Sequence, residues 1–151
     1  AAVLPLQDGL LLPLSTAGRN SRWVMLEKSG LEVEIKNLAC QVHWDETGET
    51  LGLTITLRCR GELRWAREES AQLALGEGEL AGLLEAQGEQ LWRQITEEKG
   101  IDLFDTGKAL SWQEPEIWKM LEDTWPDPLG KASCKFVADV VLSDPSGMLE
   151  G

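Results

Sequence analysis

Between Leu51 and Trp65 the chain alternates without a slip. Leu51, Leu53, Ile55, Leu57, Cys59, Leu63 and Trp65 share one parity, with Gly61 completing the row. Thr54, Thr56, Arg58, Arg60, Glu62 and Arg64 fill the other. Successive side chains of a strand point to opposite faces, so this pattern predicts a long, half-buried antiparallel strand. Upstream, Leu31, Val33 and Ile35 alternate on odd numbers, whereas Leu38, Cys40, Val42 and Trp44 alternate on even ones. An apolar face that changes parity has turned over, so a bulge or bend is expected near Asn37. ETGE (46–49) reads as the turn between these two strands. AAVLPLQDGLLLPL (1–14) reads as two short strands around Asp8-Gly9, a pair suited to the positive φ of a two-residue hairpin. Pro5 and Pro13 favour edge positions there. Residues 15–21 form a loop by composition, and RWVML (22–26) is a further short strand. In 131–143, Ala132, Cys134, Phe136, Ala138, Val140 and Leu142 face one way, which predicts a final strand before a terminal turn and tail.

The period changes between Glu77 and Lys99. Leu80, Leu84, Leu91 and Ile95 form one stripe, flanked by Leu83 and Trp92 and interrupted by Gln87. That is an amphipathic helix facing a sheet, with Gly100 suited to end it. Gly78, Gly82 and Gly88 weaken it locally by about 1 kcal/mol each relative to Ala and are expected to mark close helix–sheet contact. A second helical face runs through Ile117, Trp118, Leu121 and Trp125. Pro115 suits its first turn, Ser111 and Glu114 offer a capping box as an alternative start, and Pro126 and Pro128 end it. Trp112 then precedes the helix as a staple or an exposed contact. The fold class expected is α+β: an antiparallel β-sheet packed on one face by a long helix plus a shorter C-terminal helical segment, in a single domain over residues 1–151.

Composition narrows the chemistry. The net charge is −12, which disfavours nucleic acid and anionic lipid surfaces, since both require clustered Lys and Arg. The one basic cluster is Arg58, Arg60 and Arg64 on the polar face of the long strand. It reads as a solvated face paired to glutamates of the preceding strand, or as a docking site for an acidic partner. Three cysteines, Cys40, Cys59 and Cys134, lack zinc spacing and sit on apolar parities, and pairing between any two is left open. His43 is the single histidine, which weakens any metal site or His-based triad. Glu97-Glu98, Glu68-Glu69 and Asp102/Asp105 are carboxylate pairs of the kind a hydrolase uses, but nothing in the spacing sets two across a cleft. There is no nucleophile elbow and no phosphate loop, and no cofactor is implied. The chain opens with no signal peptide and holds no apolar run near 20 residues. Seven tryptophans raise the alternative of a carbohydrate- or small-ligand-binding module, although Trp44, Trp65 and Trp118 fall on apolar faces and are expected in the core.

IDLFDTGKALSWQEPEIWKMLEDTWPD (101–127), followed by a strand and a late glycine, resembles the C-terminal domain of the Ger(x)C family. These are the lipoprotein C-subunits of spore germinant receptors. The likeness runs through Asp102, Phe104, Gly107, Pro115, Trp118, Trp125 and Gly147, and the 1–14 segment resembles the family's opening hairpin. Asp105 stands where the family carries a glycine. The lipobox cysteine and two preceding domains are absent from this sequence, which suggests an excised C-terminal domain or an unusually short relative. The resemblance implies structural motif residues and no catalytic ones. It implies partnership with the integral-membrane A and B subunits of the receptor. It also implies a place on the outer face of the spore inner membrane, through a lipid anchor outside this chain. Candidate contact residues are Trp112, Arg58, Arg60 and Arg64.

Overall fold

The computed structural model describes residues 22–47 and 50–149. The expected N-terminal hairpin and the 15–21 loop lie outside the described residues, as does part of the 46–49 turn. Strand β1 (Arg22–Leu26) precedes two long strands, β2 (Leu31–Thr47) and β3 (Thr50–Ala66). Helix α1 (Leu73–Leu91) continues as a π-helical stretch, Trp92–Glu97. Helices α2 (Thr106–Gln113) and α3 (Pro115–Leu121) follow, then two 3-10 turns, Glu122–Thr124 and Asp127–Lys131, and strand β4 (Ser133–Ser143). The strands form one mostly antiparallel sheet in the order β1-β2-β3-β4, an α+β fold.

The chain falls into two compact units. The first holds Leu57–Gln87 with the described residues up to Ala39 and from Ala138 onward. The second holds Gly88–Val137 with the described residues from Cys40 to Thr56.

In the first unit, β1 pairs with β2 from Arg22↔Ile35 to Leu26↔Leu31. The turn between them closes through Gly30 at φ +72°, whose N–H reaches the Leu26 carbonyl at 2.8 Å. Leu26, Leu31, Val33, Leu57, Leu63, Leu80 and Leu84 are fully buried, the inward parity of the strands meeting the apolar stripe of α1. The helix sits close. A Cβ on Gly76 would lie 2.6 Å from Leu31 Cδ1. Gly78 and Gly82, expected at this contact, face open space, so they are exposed helix positions rather than packing sites. β4 ends the sheet, and its backbone is covered by side chains of α1. Glu85 accepts the Ala138 N–H at 2.9 Å, and Glu77 accepts the Leu142 N–H at 2.8 Å. Unpaired edge N–H groups invite another strand, and these carboxylates occupy them.

The parity change in β2 is seen in the burial. Ile35 is buried before it, and Leu38 and Trp44 after it. The long helix differs from expectation at both ends. It begins at Leu73, before Glu77, and its last turns are π-helical. The wider π turn displaces the 3.6-residue stripe, so Trp92 and Thr96 are buried while Ile95 is only half-buried. Gln87, read as an interruption, is itself buried.

In the second unit the core collects Trp44, Leu53, Ile55, Leu91, Trp92, Phe104, Leu110, Leu129 and Phe136. Phe136 meets Trp92 and Phe104 edge-on, with ring centroids 6.4 and 5.4 Å away. Gly88 lies under the Phe136 ring, where any Cβ would overlap it. Of the three glycines expected to mark close contact, this one does.

Candidate functional site

The family-like segment of the second unit is organised by one carboxylate. Asp102 Oδ1 accepts the Thr106 N–H at 2.8 Å and the Thr106 hydroxyl at 2.7 Å. Its Oδ2 accepts the Gly107 N–H at 2.8 Å and the Trp125 indole N–H at 3.1 Å. The first N–H groups of a helix have no intrahelical acceptor, so Asp102 satisfies two of them for α2 and places negative charge at its N-terminus. Asp105, just ahead of α2, takes the left-handed conformation at φ +56°. Asp adopts it more readily than most non-glycine residues, so the turn forms without the glycine.

Above this turn the indoles interlock. Trp125 meets Trp118 at 5.1 Å and Trp44 at 6.1 Å between centroids. Gly107 gives them room, since a Cβ there would lie 2.6 Å from Trp125 Nε1. Trp44 donates its indole N–H to the Thr106 carbonyl at 2.9 Å. Gln113 completes the frame, accepting the Trp44 N–H at 2.8 Å and donating to the Val42 carbonyl at 2.7 Å. Its amide thus makes two backbone contacts with β2.

The expectations for 105–125 need correction in three places. Trp112 does precede α3, as expected. But it lies inside α2, which the pattern did not predict, and is 79% exposed, so it staples nothing. Ser111 does not start α3; its hydroxyl bonds the Lys108 carbonyl within α2. Trp125 lies beyond α3 in an extended conformation, because α3 stops at Leu121 and a 3-10 turn follows. Pro115 does open α3, as expected. One further tryptophan departs from expectation. Trp65, placed in the core by parity, is 47% exposed. Alternation fixes which face a side chain takes, not whether another layer covers it.

On the outward face of the first unit the arginines divide. Arg64 donates Nε to Glu34 Oε1 at 2.8 Å, and its terminal nitrogen lies 2.8 Å from the same oxygen. It also lies 3.4 Å from Glu62 and 5.9 Å over the Trp23 ring. This is the pairing expected with the preceding strand, and it keeps Glu34 buried on an otherwise open face. Lys36 adds looser contacts to Glu34 and Glu62 at 3.5 and 3.6 Å. Arg58 and Arg60 are exposed and enter no ion pair among the described residues. Trp23, Met25 and Val141 are exposed in the same unit.

The remaining candidates are structural. Gly147, at φ +64°, closes a turn in which Asp144 accepts N–H groups from Met148 at 3.0 Å and Leu149 at 2.9 Å. Those bonds hold the Asp144 carboxyl below its usual range. The three cysteines are free thiols. Burial pushes Cys40 up to about 11 and Cys59 to about 12. Cys134 rises to about 12 through burial first, then through Cys40, Glu97 and Glu89 nearby. Thiols so raised stay protonated at neutral pH and are poor nucleophiles. Among the described residues, no three His, Cys, Asp or Glu side chains group as metal ligands, and no helix is long and apolar enough to cross a membrane.

Sequence reasoning missed Thr106 and Gln113, which frame the tryptophans, and Lys36, Val141 and Ser143, which lie beside Arg60. Asp102 followed by Thr106-Gly107 was a capping signal for α2 that went unread. The other residues carry no local signature.

Residues 16–145 match the family model described as spore germination B3/GerAC-like, C-terminal. The chain belongs to that family. The fold is similar to that in the crystal structure of the GerBC protein. That structure superposes on this chain with a TM-score of 0.77 at 15% identity, covering 93% of this chain and 46% of GerBC. The chain therefore spans about half the length of that protein. No curated protein matches it. In this chain Asp102, Gly107, Trp118 and Trp125 meet around one turn, whereas Gly147 belongs to a turn in the other unit.

Proposed function

We propose that this chain is a non-enzymatic interaction domain of a germinant receptor C-subunit, needed for nutrient-triggered spore germination. The observation that carries this reading is the family match across residues 16–145. Asp102, Gly107, Trp118 and Trp125 support it, because they contact one another in building a turn. The partners in this reading are the integral-membrane A and B subunits. The location is the outer face of the spore inner membrane, held by a lipid on a region outside this sequence. We take residues 1–151 as one domain, for which a single cooperative unfolding transition is the check.

The test is assembly. A C-subunit carrying this region is expected to co-purify with the membrane subunits, and one lacking it is expected to lose them and to leave spores unresponsive to nutrient. Full assembly and germination without these residues would refute the role. A carbohydrate- or small-ligand-binding reading keeps its motive in the exposed tryptophans, Trp112 above all at 79%, with Trp23 and Trp65 in the other unit. It predicts fluorescence quenching by peptidoglycan fragments that Trp112→Phe alters. The family match favours the interaction reading over this one.

A further inference from the structure

Arg58, Arg60 and Arg64 lie on even positions of β3, with Glu62 between the last two, and so share a face, yet among the described residues only Arg64 enters an ion pair. The chain carries 26 acidic residues against 14 basic ones, so carboxylates are plentiful. Two neighbouring exposed arginines without an ion pair among the described residues depart from that balance. Beside Arg60 lies a shallow cleft of about 240 Å³, lined by Lys36, Arg60, Gly61, Glu62, Val141 and Ser143. Its one carboxylate, Glu62, is already engaged by Lys36 and Arg64. An incoming carboxylate would find the Arg60 guanidinium, the Lys36 ammonium and the Ser143 hydroxyl. An aliphatic side chain beside it would find Val141, 52% exposed. Strand addition on β4 is a poor alternative, since Glu77 and Glu85 already cap its backbone at Leu142 and Ala138.

We propose that Arg58, Arg60 and Val141, with the cleft at Lys36 and Ser143, form a docking surface for an acidic segment of a partner protein that mixes carboxylate and aliphatic side chains. Charge complementarity selects the occupant. Polyphosphate backbones and anionic membranes meet the repulsion of a chain at −12, whereas a short acidic segment engages the local arginines at close range. The proposal stands independently of the receptor assignment.

The test titrates the isotope-labelled 151-residue chain with a short synthetic peptide alternating Glu and Leu, with a Lys–Leu peptide as control. Amide shifts are expected at Lys36, Arg58, Arg60 and Val141–Ser143 with the acidic peptide alone, weakening as salt is raised. The double variant R58E/R60E is expected to bind at least about tenfold more weakly, with the rest of its amide spectrum unchanged. The milder R58Q/R60Q gives the same reading should the charge reversal perturb folding. Absence of binding, shifts confined to another surface, or undiminished binding by both variants would overturn the proposal. So would binding to phosphatidylglycerol vesicles, lost in the variants, with no binding of the peptide.

Discussion

In the second unit, the indoles of Trp44, Trp118 and Trp125 close around a turn whose N–H groups are bonded by Asp102, while Gln113 bonds the β2 backbone at Val42 and Trp44. On the outward face of the first unit, Arg58 and Arg60 stand in water with no ion pair among the described residues. Both regions attract notice in the sequence, one for its aromatics and the other for its charge. The difference lies in satisfaction. Polar groups in the tryptophan cluster are matched within the unit, so substitutions there should read out in stability. The arginines have binding capacity to spare, so substitutions there should read out in association.

The largest expected effect is at Trp44. Trp44→Ala removes a buried indole and its bond to Thr106 and should cost about 4 kcal/mol in denaturant unfolding. Trp112→Ala, at the exposed position on α2, should stay within about 0.5 kcal/mol. Equal losses would erase the distinction between the two tryptophans. Asp102→Ala comes next. It strands the N–H groups of Thr106, Gly107 and Trp125, with an expected loss of about 3 kcal/mol by the same measurement. Arg58→Ala and Arg60→Ala should leave the midpoint nearly unchanged.

Glycines sharpen the comparison at a smaller scale. Gly88→Ala forces a methyl group into the Phe136 ring and should cost about 1–3 kcal/mol despite the better helix propensity. Gly82→Ala, on the same helix but facing open space, should instead gain up to about 1 kcal/mol. The opposite signs would appear as melting temperatures displaced to either side of the parent chain.

The smallest effect is in acid. Burial raises the Glu79 carboxyl, but this is outweighed by bonds from the Lys28 N–H and the Ser29 hydroxyl and N–H, aided by the Lys28 charge, and the group ends below its usual value. A depressed carboxylate contributes stability that is present above its unfolded pKa and is lost as pH falls through the folded one. Glu79→Gln should therefore lower stability slightly at neutral pH and flatten its decline below the usual glutamate range, as followed by urea midpoints across pH.

The regular parts of this fold were legible because strand alternation is local. The row from Leu51 to Leu63, the parity change after Ile35 and the closing strand all follow from counting by two. The helix boundaries were less so. A π-helical stretch shifts the stripe at Trp92, and nothing in a 3.6-residue period announces it. Helix α2 was missed because its start depends on Asp102, four residues ahead of Thr106, and its body lacks a long apolar face. Trp125 was placed on the α3 face by spacing, whereas its side chain is positioned by Asp102 and Gly107 from a distant part of the chain. The arginine row was read correctly as a face. Which of its members finds a glutamate depends on cross-strand neighbours that the sequence does not align.

The most direct test of this division places a photocrosslinker in the receptor complex that the proposed function assigns to this chain, first at position 58 or 141 and then at Met120, an exposed residue of α3. The account predicts capture of a partner protein from positions 58 and 141, and none from Met120. Capture from Met120 alone, with positions 58 and 141 silent, would contradict it.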